Sequence, residues 1–139
     1  MNGVHDDPRI PVPGEPRGFV VWLTGLPGAG KTTLAESVSE SLRAAGRTVV
    51  VLDGDVLRRE TGGTTGYSRS DRDANVARAA ARARDEAASG AVVVVALIAP
   101  YAEARAAARL LVERDAAFVE VWVRAALSVC IERDPKGLY

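Results

Sequence analysis

The sequence predicts an α/β fold in three layers, a mainly parallel sheet with helices on both faces, and three observations predict it. Runs of strand-forming residues stand at 19–23, 48–52 and 91–98, each unbroken by a charge, with a fourth, mostly apolar run at 118–123. Stretches of helical period separate these runs, so strand and helix alternate, which calls for right-handed crossovers and parallel pairing. The turn after the first run is glycine-rich and opens straight into a helix, where sheets of this class bind their ligands.

The elements follow in order. Residues 1–17 carry Pro8, Pro11, Pro13 and Pro16 with little apolar periodicity and read as a flexible leader, leaving 18–139 as one domain. The first strand is followed by a helix over about 30–45, with Leu34, Val38 and Leu42 on one face and Gly46 as its stop. The second strand runs into Asp53-Gly54-Asp55, then a helical turn over 56–60, then a glycine-rich loop over 61–66 that can move. Ser70 is the expected N-cap of a helix reaching about residue 88, with Asp71 and Asp73 matching its dipole. Most of its arginines, at 72, 78, 82 and 84, read as a solvated face. Gly90 closes that helix, and Pro100 ends the third strand ahead of a helix over 102–114. The fourth strand precedes a short helix over 126–133, stopped by Asp134-Pro135. Trp22, Trp122 and Cys130 all read as core.

Composition narrows the chemistry. Lys plus Arg and Asp plus Glu each number 18, so no net charge draws the chain to nucleic acid or to an anionic membrane. A single cysteine excludes an internal disulfide, and a single histidine, His5, excludes a Ser-His triad or a histidine metal cluster. No signal peptide and no membrane-length apolar run is present, so a cytoplasmic protein is the expectation.

The chemistry is carried first by Gly25-Leu26-Pro27-Gly28-Ala29-Gly30-Lys31-Thr32, which matches G-x-x-x-x-G-K-[ST], the phosphate-binding loop, and makes the expected fold a P-loop NTPase-type one. Gly25 and Gly30 let the backbone curl so that successive N–H groups point inward, while Gly28 and Ala29 keep side chains out of that space. The following helix aims its positive end at the same anion, with Thr33 in its first turn. Lys31 can then reach the β- and γ-phosphates of ATP, and the Thr32 hydroxyl can ligate Mg²⁺.

A phosphate loop names a nucleotide and leaves the reaction open. The third strand ends without an acid, whereas the second supplies Asp53 and Asp55 just past its end. One carboxylate can serve metal or acceptor while the other caps a turn; Asp55 is the choice for the working acid and Asp53 for the turn, and both could serve as turn partners alone. Tyr67 is either a stacking platform or an apolar plug in its loop, and the residue alone does not choose.

Taken together, these segments resemble the adenylylsulfate (APS) kinase family. Leu52-Asp53-Gly54-Asp55 with Arg58 looks like its LDGDxxR segment, and Gly66-Tyr67-Ser68 with Asp71, Arg72 and Asn75 like its GFS-x-x-DR-x-x-N segment. Leu97-Ile98-Ala99-Pro100-Tyr101 is similar to FISPY, and residues 130–139 resemble the stretch ending in RDPKGLY. The matches run in order from residue 18 to 139. The resemblance implies transfer of the ATP γ-phosphoryl to the 3′-hydroxyl of APS in sulfate assimilation, with Mg²⁺. It implies acceptor contacts at Asp55, Arg58, Tyr67, Arg72, Asn75, Ile98, Ala99, Lys136 and Leu138, and catalytic roles for Lys31 and Asp55. It also admits a homodimer or association with a sulfate adenylyltransferase. Physical chemistry agrees independently, because guanidinium forks clamp a phosphosulfate anion and an aromatic face stacks on adenine.

Two departures stand out. The serine of FISPY that some family members phosphorylate is Ala99 here, so direct in-line transfer is the expected route. Family members also continue past the position of Tyr139 through a basic lid with an FTG-type motif and a final helix, parts that close over both substrates. The chain as given therefore reads as a fragment, a short variant or an inactive remnant. The competing readings are a P-loop kinase for another nucleotide or small-molecule acceptor, and a nucleotide-binding module with little catalysis.

Overall fold

The computed structural model describes residues 17–60, 68–134 and 137, apart from the side chain of Asp55. The leader over 1–16, the loop over 61–66, Tyr67, Lys136 and Leu138 lie outside the described residues. Strands β1 (Phe19–Thr24), β2 (Val49–Asp53), β3 (Val92–Leu97) and β4 (Ala117–Trp122) alternate with helices α1 (Lys31–Ala44), α2 (Gly54–Glu60), α3 (Arg69–Ala88), α4 (Ala102–Glu113) and α5 (Leu127–Arg133). All strand pairs are parallel, in the order β2-β3-β1-β4.

The pleat divides the strand residues between two cores. Val20, Trp22, Val93, Val95 and Phe118 point to one face, where α3 and α4 cover them with Ala79, Ala80, Ala83, Ala108 and Val112. Leu23, Val94 and Ala96 point to the other face, against α1. This is the three-layer arrangement that the alternation of elements predicts. The small side chains of α3 bring its backbone close to the sheet, and Trp22 fills the space beneath, with its ring centroid 5.7 Å from that of Phe118. Cys130 is fully buried, as expected.

Three expectations are corrected. The core-facing residues of α1 are Ala35 and Ser39, with Val38 at the margin, while Leu34 is 36% exposed. Close approach of the helix to β3 selects its small residues, so the bulky stripe does not mark the buried face. Trp122 is not core but 68% exposed: it shares the face of the buried Phe118 but stands at the last position of β4, an edge strand, where the Arg124 guanidinium lies 4.8 Å over its ring. The cap of α3 is Ser68 and not Ser70. The Ser68 hydroxyl accepts from the Asp71 amide at 3.2 Å and donates to the Asp71 carboxylate at 2.7 Å, a reciprocal pair at the spacing of a capping box. Ser68→Ala is therefore expected to cost about 1 kcal/mol of stability, read as a lower urea midpoint with an unchanged slope, whereas Ser70→Ala moves the midpoint much less.

Candidate active site

The turn between β1 and α1 is shaped by what approaches it. A Cβ on Gly25 would stand 2.5 Å from the Val123 carbonyl oxygen at the end of β4. Gly28 has φ +82, and a Cβ there would stand 2.9 Å from the Cys130 carbonyl oxygen of α5. Both positions demand glycine, for lack of room at the first and for room and dihedral at the second. The turn is closed by the Ala29 amide donating to the Leu26 carbonyl at 3.1 Å.

Helix α1 starts at Lys31 from Gly30, with no side-chain cap and no acid in its first turn. Its leading amides and dipole are thus not neutralised by the chain's own carboxylates, in contrast to α3 with Ser68 and Asp71. The side chain of Lys31 is largely buried, and its ammonium donates to the carbonyls of Gly25 at 2.7 Å and Leu26 at 2.9 Å. Those two bonds hold a positive charge at the lip of the loop, beside the uncapped amides. The combination is an anion site with a preset cation.

The loop opens into a cleft of about 980 Å³ at the carboxyl ends of β1, β2 and β3. Of the nucleotide residues expected from the sequence, Pro27, Gly28, Gly30, Lys31, Thr32 and Thr33 line it. Gly25, Leu26 and Ala29 stand behind the lining: Leu26 turns its side chain outward, Ala29 is buried, and the carbonyls of Gly25 and Leu26 hold Lys31. Of the acceptor residues, Arg58, Arg72, Asn75, Ile98 and Ala99 line the same cleft. Three separate stretches, from α2, from the start of α3 and from the turn after β3, converge on the cleft that the phosphate loop lines. Tyr67, Lys136, Leu138 and the side chain of Asp55 lie outside the described residues, although the backbone of Asp55 belongs to the first turn of α2.

Asp53 has the turn role expected of it, accepting from the Val56 amide at 2.8 Å to cap α2, and it lines the cleft as well. Arg133 was not foreseen. Its guanidinium donates to the Gly28 carbonyl at 3.0 Å and borders the cleft from α5. The available signal was its position in the segment 130–139, just before the Asp-Pro stop. The arginines of α3 divide as the sequence suggests only in part: Arg72 faces the cleft, while Arg84 pairs with Asp115 at 3.7 Å and Arg82 pairs with Glu60.

Among the described residues, no group of three or more His, Cys, Asp or Glu side chains is gathered to hold a metal ion. The donors at the cleft are oxygens, the Thr32 hydroxyl and the Asp53 carboxylate. That set suits Mg²⁺ delivered with the phosphates of a nucleotide, since Mg²⁺ takes few protein ligands and keeps much of its water. Among the same residues no helix is long and apolar enough to cross a membrane.

Comparison with known proteins agrees with this geometry. The family model for adenylylsulphate kinase matches residues 17–139. The adenylyl-sulfate kinase of Paraburkholderia xenovorans (strain LB400) is 48% identical over 123 residues, 88% of this chain and 68% of that one. That of Synechococcus sp. (strain JA-3-3Ab) is 46% identical over 123 residues, again 88% of this chain and 68% of the relative. Among solved structures, the Mycobacterium tuberculosis APS kinase in complex with AMPPNP and APS superposes with a TM-score of 0.84 at 42% identity, covering 89% of this chain and 72% of that one.

Proposed function

The chain belongs to the adenylylsulfate kinase family, and from that membership we propose how its own cleft moves the γ-phosphoryl group of ATP onto the 3′-hydroxyl of adenylylsulfate. It is an ATP-dependent phosphotransferase with an alcohol acceptor. The observation that carries the division of labour is a single cavity lined both by the phosphate loop with Lys31 and by Arg58, Arg72 and Asn75.

The triphosphate lies along the amides of the turn and the first turn of α1. Lys31 exchanges a loop carbonyl for oxygens of the β- and γ-phosphates and neutralises charge as it moves toward the bridging oxygen. Thr32 and Asp55 are the residues that would hold Mg²⁺ brought by the nucleotide, and the ion would supply charge neutralisation at the phosphates. Arg58 and Arg72 take the phosphosulfate of the acceptor, and Asn75 and the 98–99 backbone orient its nucleoside. The 3′-oxygen then attacks the γ-phosphorus, the bond to the β–γ bridging oxygen breaks, ADP leaves, and Asp55 takes up the hydroxyl proton. Ala99 offers no hydroxyl, so the group passes directly between the substrates.

The acceptor is tested by measuring ADP release with APS, AMP and a small neutral alcohol in turn. The expected result is a specificity constant for APS at least about tenfold above AMP, since the sulfate-side charge finds a guanidinium partner only in APS. Equal turnover with AMP would assign the site to another nucleotide acceptor, and ATP binding without any product would assign it to a binding module.

A further inference from the structure

We propose that Arg105 is a positioning residue for the acceptor wall of the cleft: it holds Ala99 in a left-handed backbone conformation that an alanine does not keep unaided. The inference rests on the acceptor assignment of the 98–99 backbone made above.

Ala99 has φ 37, inside the left-handed region that favours glycine. Its Cβ makes that region costly, and the ring of Pro100 behind it disfavours the right-handed helical alternative, leaving extended conformations as the relaxed choice. Strain of this kind persists only where the surroundings over-determine it. Here two consecutive carbonyls are held by side chains of two different elements. The Thr24 hydroxyl at the end of β1 donates to the Ile98 carbonyl at 3.1 Å, and the Arg105 guanidinium from the first turn of α4 donates to the Ala99 carbonyl at 2.7 Å.

Arg105 is itself anchored. Its Nε lies 3.5 Å from the Glu120 carboxylate on β4, with the two side chains only 25% and 29% exposed. The other oxygen of Glu120 lies 3.8 Å from Arg109, whose guanidinium is stacked over the Phe118 ring at 4.8 Å. A line of contacts therefore runs from β4 through α4 to the turn at the cleft. Ala99 borders the cleft and Arg105 does not, so Arg105 acts on the acceptor through the shape of the turn. Glu120 sits in an otherwise apolar strand-forming run, and this contact gives it a purpose beyond solubility.

The test varies each substrate separately in three variants. Arg105→Ala is expected to raise the KM for APS about tenfold, with the KM for ATP within twofold and kcat within about threefold. Adding Ala99→Gly to Arg105→Ala is expected to recover most of that loss, because glycine takes positive φ without a brace. A purely structural role would move both KM values together and gain nothing from the glycine; either result overturns the proposal, as does an unmoved KM for APS. Should Arg105→Ala fail to fold, Glu120→Gln loosens the anchor while leaving Arg105 in place, and an APS KM equal to the parent's overturns the proposal in the same way. The carbon chemical shifts of Ala99 read the claim without any substrate: a positive-φ signature in the parent chain that survives in Arg105→Ala refutes the brace. Parent chain that turns over no APS refutes the acceptor assignment instead, and the shifts still decide the brace.

Discussion

Lys31→Ala is expected to lower kcat by about a hundredfold or more while leaving the fold intact, a loss of roughly 2.7 kcal/mol in transition-state stabilisation. The ammonium is held by two carbonyls of the loop at 2.7 and 2.9 Å, beside the uncapped start of α1. Charge builds on the β–γ bridging oxygen as the bond breaks, and no other lysine is supplied by α1. Loss of the two bonds leaves carbonyls that water can reach from the cleft, so the cost to stability is about 1 kcal/mol. Thermal unfolding beside single-turnover kinetics separates the two effects. Lys31→Arg keeps the charge but brings a planar fork in place of a compact ammonium, and it is expected to recover only part of the rate. A Lys31→Ala enzyme with unchanged turnover would remove the phosphate loop from the chemistry.

Arg72→Ala is the counterpart on the acceptor wall. Arg72 leaves the first turn of α3 and lines the same cleft as Lys31, as does Arg58 from α2. A charge-assisted bond to a buried anion is worth about 1.5–3 kcal/mol, so the KM for APS is expected to rise roughly ten- to a hundredfold. The KM for ATP should stay within twofold if, as proposed, the nucleotide phosphates are held by the loop amides and Lys31 and not by these arginines. Arg58→Ala is expected to act in the same direction. The double variant should fall short of the sum of the two losses in free energy if both guanidiniums share one anion. Equal effects on both substrates would place these arginines in the fold and not in acceptor binding; measuring the two KM values in each variant decides it.

Much of this was legible before any coordinates. The phosphate loop is readable because its spacing encodes a backbone shape: Gly25 and Gly28 stand where carbonyls of Val123 and Cys130 leave no room for a Cβ. The strands are readable because a sheet covered on both faces needs unbroken β-branched runs, and β3 is buried along its whole length. The convergence of Arg58, Arg72 and Asn75 on the loop follows from strand order, since parallel strands bring their exits to one edge. What sequence hid was tertiary. Nothing in residues 117–123 says that β4 is an edge strand, so Trp122 was expected in the core. The bulky residues of α1 do not mark its packed side, because closeness to β3 favours Ala35 and Ser39 and leaves Val38 at the margin. Arg133 and Arg105 were hidden for a related reason: each acts on a backbone carbonyl far along the chain or across a turn, and carbonyls carry no sequence signal.

Direct transfer requires both substrates to be held in one cleft at the same time. It is tested most directly by supplying ATP labelled in its γ-phosphate together with APS and following the label. Direct transfer puts the label in 3′-phosphoadenylylsulfate and leaves none fixed to the chain. Label retained on the protein, or released only as inorganic phosphate, would contradict it.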